Sequence, residues 1–102
     1  MINRIDPTKD IFLQTDASDI GIGAVLFQIE GDQYKVLGIQ ARKLKKHERN
    51  YSTPKKETLA IVFGIKKLFF LLIGRKFNVL CDNESLSYSV KENSVLGWFI
   101  FS

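Results

Sequence analysis

With 102 residues, 45% of them hydrophobic and 25% charged, the chain suits one domain with a modest core and is too apolar to be disordered. Fifteen basic against eleven acidic residues leave a formal charge of +4, a mild bias that suits a polyanionic partner without requiring one. The single cysteine, Cys81, excludes an intramolecular disulfide and a cysteine-rich zinc site, and points to a reducing compartment.

The opening stretch "MINRIDPTKD" lacks the apolar centre of a signal peptide, and residues 1–10 read as a linker ahead of a domain over 11–102. "IFLQT" (Ile11 to Thr15) predicts a short strand. "GIGAVLFQIE" (Gly21 to Glu30) predicts a second, "GD" at Gly31–Asp32 a reversal, and "QYKVLGIQA" (Gln33 to Ala41) a third. Their short connections imply hairpins and an antiparallel meander. The basic run "RKLKKHERN" comes next as a loop.

A helix begins near Thr53. Ser52 or Thr53 can cap it, and Pro54 suits a first turn that has no use for its missing N–H. The apolar positions Leu59, Ala60, Phe63, Leu68, Leu71 and Leu72 cover more than one stripe, and Gly74 predicts the stop. "LFFLLIG" within this run is too short to cross a bilayer, and the chain reads as soluble. "KFNVLCD" (Lys76 to Asp82) predicts a fourth strand, "NESLSYSVKEN" a short helix or turn, and "SVLGWFIFS" a further apolar element. The order is therefore βββαβα, an α/β mixed sheet: strands one to three antiparallel, and the fourth parallel to the first because a helix crosses between them.

Three carboxylates then fall at related places. Asp16 ends strand one, Glu57 lies in the first turns of the helix, and Asp82 ends strand four. Parallel neighbours send Asp16 and Asp82 to one sheet edge, where α/β sheets receive ligands. Clustered carboxylates raise one another's pKa unless a cation joins them, and an all-oxygen set suits Mg²⁺ or Mn²⁺. Each also has a plainer reading. Glu57 suits the helix dipole, Asp16 can form a turn, and Asp82 can cap the next element.

"FLQTDASDIGIGAVL", "RKLKKHERNYSTPKKETLAIV" and "GRKFNVLCDNESL", in that order and at that spacing, resemble the RNase H-like domain of reverse transcriptases from gypsy-type LTR retrotransposons and related retroviral polyproteins. The resemblance spans nearly the whole chain, and "DPTKDIFLQTDAS" is similar to the passage from the polymerase connection region. It implies a five-stranded RNase H-like sheet flanked by helices, and two-metal endonucleolytic hydrolysis of the RNA strand of an RNA–DNA hybrid. Carried over by position, Asp16, Glu57 and Asp82 would be the catalytic carboxylates and hold two Mg²⁺ or Mn²⁺ ions. Ser18 and Asn83 would contact phosphate or sugar, or else stabilise turns. Arg42, Lys43, Lys45 and Lys46 would track a phosphate backbone, unless the loop is merely solvated. Gly21 and Gly23 read as sites of backbone twist or close approach rather than catalysis, and His47 as a surface residue. The implied partners are the hybrid and a reverse transcriptase domain in the parent polyprotein, with no membrane. The setting would be cytoplasmic or nuclear, inside a virus-like particle in the parent element.

The chain also departs from that pattern. The family's fourth metal-binding aspartate falls beyond Ser102, so the domain reads as cut off before its last strand and helix. That loss would expose an edge of strand four and apolar surface in the tail. Lys55 stands where an acidic residue usually completes a capping box, at an expected cost of about 1 kcal/mol. The histidine expected after the third aspartate is Asn83. Two rivals to the nuclease stay open on these grounds: an inactive truncated relic of a retrotransposon, and a basic module that binds nucleic acid without cutting it.

Overall fold

The computed structural model of the chain describes residues 3–81 and 84–89. In chain order these form β1 (Phe12–Ala17), β2 (Gly21–Glu30), β3 (Gln33–Lys43), a 3₁₀ turn at Glu48–Asn50, α1 (Thr53–Lys67), α2 (Phe69–Leu72), β4 (Lys76–Cys81) and β5 (Glu84–Ser89). The strands make one sheet in the order β3-β2-β1-β4-β5. β1 pairs antiparallel with β2 and parallel with β4, as the crossover predicts, and β2 pairs antiparallel with β3. This is the mixed α/β topology of an RNase H-like fold.

Period-two alternation decides what each face carries. Leu13, Ala24 and Leu26 are buried beneath the helices with Leu37, Leu68, Leu72, Phe77 and Val79. A bulge in the β2–β3 register, where Leu26 pairs with Gly38 but Phe27 with Val36, leaves Leu37 as the extra residue, and it is fully buried. The hairpin between these strands turns on Gly31, at φ +61°, the left-handed conformation that a two-residue reversal requires.

α1 starts as its sequence predicts. Ser52 is the N-cap, its Oγ accepts a hydrogen bond from the Lys55 N–H at 3.4 Å, and Pro54 sits in the first turn. No acidic residue occupies that turn. The Lys55 ammonium lies 4.0 Å from the centre of the Tyr51 ring instead, and this cation–π contact offsets part of the missing capping box. The helix does not run unbroken to Gly74. It stops at Lys67, and α2 resumes after Leu68 and buries Phe69, Leu71 and Leu72.

Gly64 sets the distance between helix and sheet. A Cβ there would stand 2.7 Å from the Ala24 Cβ, an atom fixed to the strand backbone. Helix and sheet would have to part, at a cost of about 1–3 kcal/mol against about 1 kcal/mol gained in helix propensity. Gly64→Ala should therefore destabilise the domain by up to about 2 kcal/mol. A urea double-mutant cycle with Ala24→Gly should return a favourable coupling of about 1 kcal/mol.

One segment adds to its sequence reading and one departs from it. Residues 3–10 lie fastened to the sheet. Asn3 Nδ2 donates to Val36 O at 2.7 Å, and the buried Gln28 side chain accepts from Asp6 N and donates to Asp6 O and Lys9 O. Every polar atom of that buried amide is thereby paired. Glu84–Ser89 forms a strand and not the short helix or turn expected. It pairs antiparallel with β4, Cys81 opposite Glu84 and Lys76 opposite Ser89. The alternation of serine with Leu86 and Tyr88 in "ESLSYS" is a strand period, and a hairpin lets the segment cover the edge of β4 at once. The apolar element expected over "SVLGWFIFS" lies outside the described residues.

Candidate metal centre and nucleic-acid face

The parallel pairing of β1 with β4 (Phe12 with Asn78, Gln14 with Leu80) sends the C-terminal ends of both strands to the same sheet edge. The first turns of α1 arrive there too. Ala17 and Leu59 pack on the cluster of Ile22, Leu44, Ala60 and Phe63. The Lys56 ammonium is 3.8 Å from Asp19 Oδ1, in the turn after β1. Glu57 precedes Ala60 by three residues, about 4.5 Å along the helix axis, toward that same turn.

Asp16 is exposed, on the sheet face opposite α1, because Leu13 and Thr15 point at Gly64 and the alternate residue must point away. Its Oδ1 accepts from the Ala17 N–H at 3.0 Å, and among the described residues no basic side chain pairs with it. Glu57 is half-buried on α1. Asp82 and Asn83 come directly after β4 but lie outside the described residues. Among the described residues no three acidic, histidine or cysteine side chains form a metal-binding group. Asp16 lies near the end of β1, Glu57 lies in the first turns of α1 that pack at that end, and Asp82 lies outside the described residues.

The remaining candidates divide by what already engages them. Ser18 holds the β1–β2 turn: its Oγ donates to Gly21 O at 3.2 Å and accepts from Gly21 N at 3.1 Å. Arg42 is clamped by Glu48, with Nη1–Oε1 at 2.7 Å and Nη2–Oε2 at 3.0 Å, and lies 5.5 Å from the Phe63 ring centre. Glu48 also accepts the Lys45 N–H at 2.7 Å, so one buried carboxylate shapes the basic loop. These donors pull the Glu48 carboxyl from 4.5 down to about 2, the Arg42 hydrogen bonds first, and raise the Arg42 guanidinium in turn. Lys43, Lys45 and Lys46 are exposed, as is His47, whose ring meets Tyr51 edge-on.

Glu48 and Gln28 carry weight that sequence reasoning missed. Glu48 sits in a run dominated by positive charge, and the one available signal was an isolated acid six residues after an arginine. Gln28 gives no local signal, since its partners are backbone atoms of residues 6 and 9.

The sequence model of the family described as "RNase H-like domain found in reverse transcriptase" matches residues 6–100. The chain belongs to that family. It is 41% identical over 90 residues, 87% of its length, to the retrovirus-related Pol polyprotein from transposon gypsy of Drosophila melanogaster. It is 37% identical over 89 residues, 84% of its length, to the transposon Tf2-3 polyprotein of Schizosaccharomyces pombe. The chain spans only 8% and 7% of those polyproteins. Among the described residues no helix is long and apolar enough to cross a membrane.

Proposed function

We propose that this RNase H-like domain hydrolyses the RNA strand of RNA–DNA hybrids during reverse transcription, with Asp16, Glu57 and Asp82 holding two Mg²⁺ or Mn²⁺ ions. The observation that carries the reading is the common edge at which β1, β4 and the first turns of α1 end. The donors present fit hard cations: they are carboxylate oxygens, and Asp16 is exposed without a basic partner among the described residues. When bound, such ions lower the pKa of an attacking water and neutralise charge on the leaving 3′ oxygen.

The chain's own side chains supply the rest. The three carboxylates would hold and orient the ions, and no histidine would be needed as a base. Lys43, Lys45 and Lys46 present exposed ammonium groups to phosphates, which gives affinity without sequence choice. Arg42 acts at one remove, because Glu48 already occupies its guanidinium and the pair fixes the loop. In the parent element the domain would work beside a reverse transcriptase in the same polyprotein, within a cytoplasmic or nuclear virus-like particle.

The test is incubation of the chain with an end-labelled RNA–DNA hybrid and Mg²⁺ or Mn²⁺. Cleavage of the RNA strand that stops on adding EDTA is the expected result. A chain that binds the hybrid but leaves it whole would be a binding module, and the nuclease reading would fall.

A further inference from the structure

Lys56 occupies a place on α1 where packing alone would favour an apolar residue. It precedes Ala60 by four residues and Gly64 by eight, so the three share one helix face. Ala60 is fully buried, and a Cβ on Gly64 would meet Ala24 of β2 at 2.7 Å. That face therefore looks at the sheet, and Lys56 carries it about one turn beyond Ala60, over the turn that joins β1 to β2. Its side chain is only 12% exposed, and its ammonium lies 3.8 Å from Asp19 Oδ1 in that turn.

The ordinary reasons for a lysine here are weak. Cations are disfavoured in the first turn of a helix, and no acidic residue of that turn offsets Lys55 and Lys56. Asp19 is fully exposed, so its pairing with Lys56 at 3.8 Å is a solvated contact of little strength. Methionine or leucine would fill the same space without desolvating a charge. What lysine adds is a fixed positive charge beside acids. Glu57 is the next residue, and Asp16 lies three residues before Asp19, at most about 11 Å away along the chain. The neighbouring Lys55 turns to the Tyr51 ring instead, its ammonium 4.0 Å from the ring centre.

We infer that Lys56 is a positioning residue of the proposed metal centre. Its ammonium is a built-in counter-charge to Asp16, Asp19 and Glu57, one that steadies this edge while no ion is bound and that an arriving ion must work against. The inference rests on the reading of Asp16 and Glu57 as metal ligands. Lys56 acts through its field at the carboxylates and not by touching ion or substrate. A unit charge roughly 10 Å from a divalent ion changes the ion's affinity by about fourfold at the dielectric constant of water. The effect fades once added salt shortens the screening length below that distance.

Melting of the full chain across a Mg²⁺ or Mn²⁺ series tests this without any turnover, because an ion that binds the folded state raises the melting temperature. Lys56→Met keeps the stem and removes the charge, whereas Lys56→Arg keeps both. At low salt Lys56→Met should reach half of its metal-induced rise at about a fourfold lower metal concentration than the parent. That shift should largely vanish by about 0.3 M salt, and Lys56→Arg should stay within about twofold of the parent. Lys55→Met removes an equal charge from an exposed position in the same turn and should shift the series by less than about twofold. Should Lys56→Met not fold, Lys56→Gln makes the same comparison. A metal response in Lys56→Met equal to the parent's, or a shift matched by Lys55→Met, overturns the role of Lys56 and leaves the metal centre standing. A parent that neither ion stabilises at any concentration sinks the metal centre, and this inference with it.

Discussion

Asp16→Asn should lower metal-dependent cleavage by about a hundred- to a thousandfold and leave the domain folded. Asparagine keeps the shape of the side chain, and its carbonyl oxygen can still accept the Ala17 N–H. The side chain is exposed, so no packing is lost and the melting temperature should stay within a degree or two of the parent's. What disappears is the negative charge that holds a hard cation. Loss of one preorganised electrostatic group in an active site typically costs about 10²–10³ in rate. Even partners that only orient metal ligands cost roughly 10–100-fold. Hybrid affinity should hold or rise, because a negative charge has left a face that meets a polyanion. Cleavage assays beside hybrid titrations separate the two effects. An Asp16→Asn chain that cuts at the parental rate would remove Asp16 from the mechanism.

Replacing Glu48 should be the most damaging single change to stability outside the apolar core. Its carboxylate takes two hydrogen bonds from Arg42 and one from Lys45 N while its side chain is only 7% exposed. Lowering its pKa from 4.5 to about 2 corresponds to about 3–4 kcal/mol at most, at roughly 1.4 kcal/mol per pH unit. Arg42, at 31% exposure, keeps part of its hydration, which moves the figure toward about 2 kcal/mol. The folded-state pKa lies below the unfolded one. The stabilisation is therefore complete above about pH 5 and fades as pH falls toward 2.

Glu48→Gln should lower stability by about 2 kcal/mol at pH 7, on the order of 10 °C in Tm for a domain of this size. The gap between variant and parent should close as pH drops from about 5 to about 2. Urea melts of both chains across that range provide the measurement, and a gap independent of pH would show that the carboxylate's charge is not what holds the loop.

Local pattern carried most of the fold. Alternation in Gly21–Glu30 and Gln33–Ala41, the Gly31–Asp32 reversal, and the Ser52–Pro54 start of the helix are all decided within a few residues, where turn chemistry and capping act. The parallel pairing of β1 with β4 came from a helix lying between the strands in sequence. The family was legible for the same reason, in three motifs kept in order. Asp16 and Glu57 could also be picked out by position, as a strand end and a helix start.

Contacts distant in sequence had to be seen in three dimensions. Leu68 divides the helix because the core needs Phe69, Leu71 and Leu72 turned inward, which periodicity along one helix cannot reveal. The opening residues are held by Gln28, about 20 positions away. Glu84–Ser89 became a strand because β4 offered an unpaired edge. Arg42 looked like one more cation in a basic run until folding closed it against Glu48. Gly23 and Ala41 come to lie in one row with Asp16 only through the registers of the three strands. Short-range sterics and hydrogen bonds can be read from neighbouring letters. Which groups share a face, and which charges are already spoken for, depends on the packed whole.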